Sequence, residues 1–152
     1  CANLLLLGAG GAGCAVELAL IDLGVQTLWI HDKSRQAAQK LADRLAALRP
    51  HTCCAVWTLQ GEVDGIINAT PMGMASHPGQ AISLDDVTTR HFVGDIVYFP
   101  LQTALLRDAA TRGFHMMTGG GMAVGQAAEA FKLFTGKTPD HARMTQHFHE
   151  LT

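Results

Sequence analysis

Three glycines and one aspartate carry the first chemical signal. Gly8, Gly10 and Gly13 stand in Gly8-Ala9-Gly10-Gly11-Ala12-Gly13, directly after Leu4-Leu5-Leu6-Leu7. A short unbroken apolar run is the pattern of a strand buried on both faces. The segment after the glycines is apolar at helical spacing. A G-x-G-x-x-G between such a strand and a helix is a device for holding a pyrophosphate. Gly8 permits the tight turn, Gly10 lets phosphates approach the backbone, and Gly13 lets the helix pack close on the strand. The anion is received by free N–H groups at the helix start, those of Gly11 and Ala12 among them, and by the positive end of the helix dipole. Asp32 follows Gly13 by 19 residues. A carboxylate there accepts hydrogen bonds from adenosine ribose hydroxyls and repels a 2′-phosphate, which favours NAD over NADP. Lys33 and Arg35 stand beside it and would serve a 2′-phosphate if Asp32 turned away, so NADP stays open.

The elements that must position these residues follow from the pattern. After the first strand, a helix carries apolar residues at Ala12, Val16, Ala19, Leu20 and Leu23 and stops at Gly24. Residues 27–31 read as a second strand. Ser34 can cap a second helix with its stripe at Ala38, Leu41, Ala42, Leu45 and Leu48, ended by Pro50. Strands are expected at 53–57, 65–68, 93–98 and 114–117, with a short helix near 84–87 and longer ones at 102–112 and up to Gly136 through Ala127, Ala128, Phe131 and Phe134. A last helix starts near Asp140. Met116, Met117 and Met144 read as core. Alternation of six strands with helices predicts an α/β fold, a doubly wound six-stranded parallel sheet of the Rossmann type in a single domain.

Composition narrows the partners. The chain has 152 residues, 48% apolar and 16% charged, enough for one domain with a proper core. A net charge of −2 from 11 basic and 13 acidic residues leaves no electrostatic footprint for nucleic acid or an anionic membrane. No apolar run reaches the length of a membrane span, and no secretory signal is present. The cysteines at 1, 14, 53 and 54 form no C-x-x-C. Neighbours such as Cys53 and Cys54 on a strand face opposite ways, so reduced thiols in a cytoplasmic protein are expected. Cys14, after the glycine loop, reads as a small core-facing residue rather than a reactive thiol. The eight histidines show no metal spacing.

Three further segments go beyond a generic dinucleotide domain. They are Asn68-Ala69-Thr70-Pro71-Met72-Gly73-Met74, then Asp95-Ile96-Val97-Tyr98-Phe99-Pro100 with Thr103-Ala104-Leu105-Leu106, and Gly119-Gly120-Gly121-Met122-Ala123-Val124-Gly125-Gln126 with Ala127-Ala128-Glu129-Ala130-Phe131. In order and spacing they resemble the cofactor domain of the shikimate and quinate/shikimate dehydrogenases, from Leu4 to about Pro139. All three follow predicted strand ends or open the next helix, the edge where such sheets bind ligands. The resemblance implies that Asn68, Ala69 and Thr70 run beside the cofactor. It implies that backbone groups of Ile96 and Gly119 hold the nicotinamide amide and that Met122 packs near its ring. Tyr98 and Gln126 are implied to reach the substrate. The implied reaction is oxidation of shikimate or quinate to the 3-dehydro acid by hydride transfer, in the pathway of aromatic amino acid biosynthesis. Asp32-Lys33-Ser34 in place of the family's Asn-Arg-Thr supports NAD and quinate, and Ala123 replaces a common leucine beside the pocket.

The same resemblance implies that the catalytic lysine and aspartate belong to an N-terminal substrate domain. Lys33, Lys40, Lys132 and Lys137 sit on the wrong elements to replace them. The chain opens at Cys1 and enters its first strand at once, so it reads as a piece of a longer protein, without turnover by itself. Alternatives are a non-catalytic dinucleotide-sensing module and the cofactor domain of a methylene-tetrahydrofolate dehydrogenase or a glutamyl-tRNA reductase. An S-adenosylmethionine methyltransferase would leave the third glycine and the later segments unexplained.

Overall fold

The computed structural model describes residues 3–50, 52–56 and 62–152. Strands β1 (Asn3–Leu7), β2 (Thr27–His31), β3 (Cys53–Val56), β4 (Glu62–Asn68), β5 (Thr88–Asp95) and β6 (His115–Met117) alternate with helices α1 (Gly11–Asp22), α2 (Arg35–Leu48), α3 (Ala104–Thr111) and α4 (Gly120–Thr135), and α5 (His141–Leu151) closes the chain. The strands form one six-stranded sheet in the order β3-β2-β1-β4-β5-β6, every described pairing parallel. This is the doubly wound fold expected from the sequence. Its strand order reverses between β1 and β4, where such a sheet opens its ligand crevice.

The run of leucines in β1 explains why both faces are covered. Successive side chains point to opposite faces. Leu4 and Leu6 join Leu28, Ile30, Leu41 and Leu45 under α1 and α2. Leu5 and Leu7 join Val63, Ile66, Val93, Leu105 and Leu106 under α3. Ser34 caps α2 as expected, its hydroxyl accepting from the Ala37 N–H, and Leu48 is the one member of the expected stripe that lies exposed. Trp57, expected at the end of β3, lies outside the described residues.

Several expectations are corrected. Residues 84–87 form no helix; a turn closed by Ser83 pins buried Leu84 and Val87 to the core. Strand β5 ends at Asp95 rather than residue 98, because the Asp95 carboxylate accepts the Val97 N–H and turns the chain. Met116 and Met117 are exposed, not core, since β6 is a three-residue strand at the edge of the sheet. On α4 only Gly120, Val124 and Ala128 are buried; Phe131 and Phe134 lie on the exposed part of the helix.

The largest correction concerns α1. It buries Gly13, Glu17 and Ile21, while Leu23, expected on the inner stripe, is 81% exposed. The helix is apolar nearly all round, so its pattern cannot choose the inward face; the close approach at Gly13 does. One turn on, this brings Glu17 into the core, with neither carboxylate oxygen hydrogen-bonded among the described residues. Burial pushes its pKa from 4.5 to about 7, against the pull of Arg44. The folded state therefore holds this proton more tightly than the unfolded chain. Its contribution is fully present below pH 4.5 and lost as pH rises through about 7. The loss is about 3 kcal/mol. Glu17→Leu should remove this part of the slope, so that the stability lost between about pH 5 and about pH 8, read by urea unfolding, is smaller than in the unmodified chain. An unmodified chain as stable at the higher pH as at the lower would contradict a buried, unpaired carboxyl.

Candidate functional site

The site is built at the carboxyl edge of the sheet, where β1, β4 and β5 end side by side. After Leu7 the chain turns at Gly8, whose φ of +102° favours glycine. Its N–H donates to the His31 carbonyl at the end of β2. A Cβ on Gly8 would sit 2.9 Å from the Ala69 carbonyl oxygen, so the loop rests directly on the turn after β4. At Gly13 a Cβ would fall 2.0 Å from the Gly8 oxygen. Gly10 and Gly11 differ: a Cβ on either meets nothing within 4 Å. Two of the loop glycines are thus demanded by packing, while two face open space.

That open space is a cleft of about 940 Å³ lined by Gly10, Gly11, Ala12, Ala15 and Val16, by Ala69, Thr70, Pro71, Met74, Ala75 and Ser76, by Ile96, Val97, Tyr98 and Phe99, and by Met122 and Gln126. The N-cap of α1 is Gly10, which has no capping side chain, and no acidic residue occupies the first turn. The first intrahelical bond runs from the Cys14 N–H to the Gly10 carbonyl. The N–H groups of Gly11, Ala12 and Gly13 precede it and are left for an anion.

Of the expected residues, Gly10, Gly11, Ala12, Ala69, Thr70, Ile96, Met122, Tyr98 and Gln126 are brought together on the cleft wall. Tyr98 is half exposed. Gly8, Gly13 and Gly119 lie behind the wall and hold its shape. Gly119 is the N-cap of α4; a Cβ there would lie 2.3 Å from the Ile96 oxygen. That contact sets α4 on the end of β5 and puts Met122 and Gln126, one turn apart, on the cleft. Asp32 closes the other side of the loop. One carboxylate oxygen accepts the Ala9 N–H at 2.9 Å and the other the Ser34 N–H at 2.8 Å. Lys33 is exposed beside it. Cys14 is half-buried against the α1–α2 core.

Asn68 does not reach the cleft; its side chain is completely buried. Its carbonyl oxygen accepts the Thr70 N–H and hydroxyl, and its amide donates to the Met72 carbonyl and to Asp95. Asp95, also buried, accepts in addition the Thr103 hydroxyl at 2.7 Å. Burial pushes the Asp95 carboxyl above its ordinary range, and the bonds from Thr103, Val97 and Asn68 pull the other way. Sequence reasoning gave neither Asp95 nor Thr103 a role. Thr103 directly before an apolar helical run is a capping signal, and its hydroxyl does accept the Leu106 N–H. The cleft residues Ala15, Val16, Met74, Ala75 and Ser76 were equally unmarked. Among the described residues no cluster of His, Cys, Asp or Glu fits a metal ion, and no helix is long and apolar enough to cross a membrane.

Known proteins share this architecture. The family model of the Shikimate 5'-dehydrogenase C-terminal domain matches residues 119–147. The shikimate dehydrogenase (NADP(+)) of Pseudarthrobacter chlorophenolicus is 43% identical over 151 residues, 95% of this chain and 52% of that protein. The quinate/shikimate dehydrogenase (NAD(+)) of Corynebacterium glutamicum is 42% identical over 148 residues, 93% of this chain and 52% of that protein. Among solved structures, the quinate dehydrogenase from Corynebacterium glutamicum in complex with NAD superposes with a TM-score of 0.87 at 40% identity, over 98% of this chain and 55% of that one. The chain thus spans about half the length of these relatives; over that half its sequence and fold are similar to those of shikimate and quinate dehydrogenases, and residues 119–147 match the model of their C-terminal domain.

Proposed function

We propose that this chain, a C-terminal region of the shikimate and quinate dehydrogenase family, is the nicotinamide-dinucleotide-binding domain of an enzyme that oxidises shikimate or quinate to the 3-dehydro acid. The observation that carries the reading is the contrast within the glycine loop. Gly8 and Gly13 are fixed by contacts of 2.9 and 2.0 Å, while Gly10 and Gly11 open onto the cleft above a bare helix N-terminus. That is the arrangement a pyrophosphate requires. The nicotinamide, when bound, supplies the hydride-accepting carbon. The chain's own residues bind and orient. Gly11, Ala12 and Gly13 offer N–H groups to the phosphates, and Asp32 faces the adenosine ribose. Ala69, Thr70, Ile96 and Met122 flank the nicotinamide end, with Gly119 behind them. Tyr98 and Gln126 stand at the mouth, where the substrate would be met. Proton transfer from the substrate hydroxyl falls to groups outside these residues, in a substrate domain of the same protein, so the chain by itself binds without turning over.

Choice of cofactor follows from Asp32. Relatives of nearly equal identity include NADP(+) and NAD(+) enzymes, so general similarity does not choose. Two backbone N–H groups hold the Asp32 carboxylate beside the loop, which keeps its charge and remaining lone pairs on the ribose side. NAD should bind at least about tenfold more tightly than NADP, a difference of about 1.4 kcal/mol. Asp32→Asn should reduce or reverse the preference, because Lys33 and Arg35 then attract the extra phosphate without opposition. Added salt should weaken NADP binding to that variant more than NAD binding. Calorimetric titration of both cofactors at two ionic strengths is the check. Tighter NADP binding by the unmodified chain would assign the lysine and arginine the deciding role.

A further inference from the structure

Two walls of the cleft hang from one buried polar cluster that does not itself line it. The wall after β4 is the turn of Ala69, Thr70 and Pro71; the wall after β5 is Ile96, Val97 and Tyr98. Asn68 fixes the first by holding Thr70 and Met72, and Asp95 fixes the second by taking the Val97 N–H. The two are joined to each other at 2.9 Å and, through Thr103, to the N-cap of α3. Each of these side chains is at most 3% exposed. Asn68 uses both donors and its acceptor here, and Asp95 uses both oxygens. The Thr70 hydroxyl is spent as well: it donates to Asn68 and accepts the Met72 N–H. Gly73, at φ +105°, closes over the cluster with its Cβ position 3.0 Å from the Thr103 methyl.

We infer that Asp95 is a positioning residue of the cofactor cleft, its carboxylate setting the separation of the Thr70 and Tyr98 walls so that the nicotinamide ring is held in one place. Two adjacent parallel strands are already spaced by their ladder, but the ladder ends at Asn68 and Asp95. Beyond it, the Ile96 N–H to Asn68 carbonyl bond and this cluster are the hydrogen bonds that tie one wall to the other among the described residues. An apolar residue at position 95 would leave the Val97 N–H, one of the two Asn68 amide N–H groups and the Thr103 hydroxyl buried without an acceptor, and the walls would separate to let water reach them.

The inference rests on the cofactor reading, and the test separates the two. ADP-ribose carries the pyrophosphate and adenosine of the cofactor but no nicotinamide, so it engages the glycine loop and Asp32 without needing the far walls. Affinities of the chain for ADP-ribose and NADH are measured for the unmodified protein, Asp95→Ala, Asp95→Asn and Thr103→Val. For Asp95→Ala, NADH affinity should fall at least about tenfold and ADP-ribose affinity by less than about threefold. Asp95→Asn, which keeps one acceptor for Val97 and Asn68, should recover most of the NADH loss. Thr103→Val should lower NADH affinity selectively by about fivefold; if Asp95→Ala does not fold, this variant decides by the same ratio. Parallel loss of both ligands, or no loss of either, would overturn a positioning role. If neither ligand bound the unmodified chain, the cofactor reading itself would fail and this inference with it.

Discussion

Gly10→Val is expected to leave the fold intact and abolish dinucleotide binding. Gly10 adopts φ −81° and ψ −169°, an extended conformation open to any residue. A Cβ there meets nothing within 4 Å, so the core is untouched. The loss of folding stability should stay within about 1 kcal/mol, the cost of a poor N-cap. The new side chain instead fills the place of the pyrophosphate and shields the N–H groups of Gly11 and Ala12. Affinity should fall more than about 100-fold, or about 2.7 kcal/mol. Calorimetric titration together with urea unfolding reads both quantities. Affinity within about threefold of the unmodified chain would remove the loop from the binding site.

Three residues further along the same loop, the expectation inverts. Gly13→Val should destabilise the fold by about 4 kcal/mol or more, because its Cβ would lie 2.0 Å from the Gly8 oxygen. Neither backbone segment can yield separately. Gly8 is pinned by its bond to His31 and by Ala69, and α1 is held by Ile21 in the core. The helix must leave the strand, taking Glu17 and the loop with it. A large drop in the urea midpoint, or loss of the cooperative transition, is predicted. A midpoint unchanged from the unmodified chain would mean that the close helix–strand contact is not structural. Taken together, the two variants divide one motif into a glycine for the ligand and a glycine for the fold.

What could be read in advance depended on how local the cause was. The strand–loop–helix unit around Gly8 to Gly13, the cap at Ser34 and the parallel sheet follow from short-range pattern and turn chemistry, and these were legible. The rotation of α1 was not. Apolar residues surround that helix, so only the tertiary contact at Gly13 decides that Glu17, a charged residue, faces inward. Exposed Phe131, Phe134, Met116 and Met117 differ in the opposite sense: apolar residues give no sign that they stand on an edge strand or an exposed helix end. The Asn68–Asp95–Thr103 cluster links residues 27 and 8 apart in sequence, and polar residues at strand ends look the same whether they face a ligand or one another. Asn68 thus reads as a ligand contact in sequence, while its side chain is committed to the wall behind the cleft.

This chain is proposed to bind a nicotinamide dinucleotide in the cleft between its glycine loop and the ends of β4 and β5. The most direct test is a titration of the unmodified chain with NAD, followed by the backbone amide resonances. A saturable response is expected below about 1 mM, largest at Gly10, Gly11, Ala12, Gly13 and Asp32, extending to Thr70, Ile96 and Met122, and absent from the exposed face of α5. No saturation at that concentration, or shifts confined to residues away from the cleft, would contradict it.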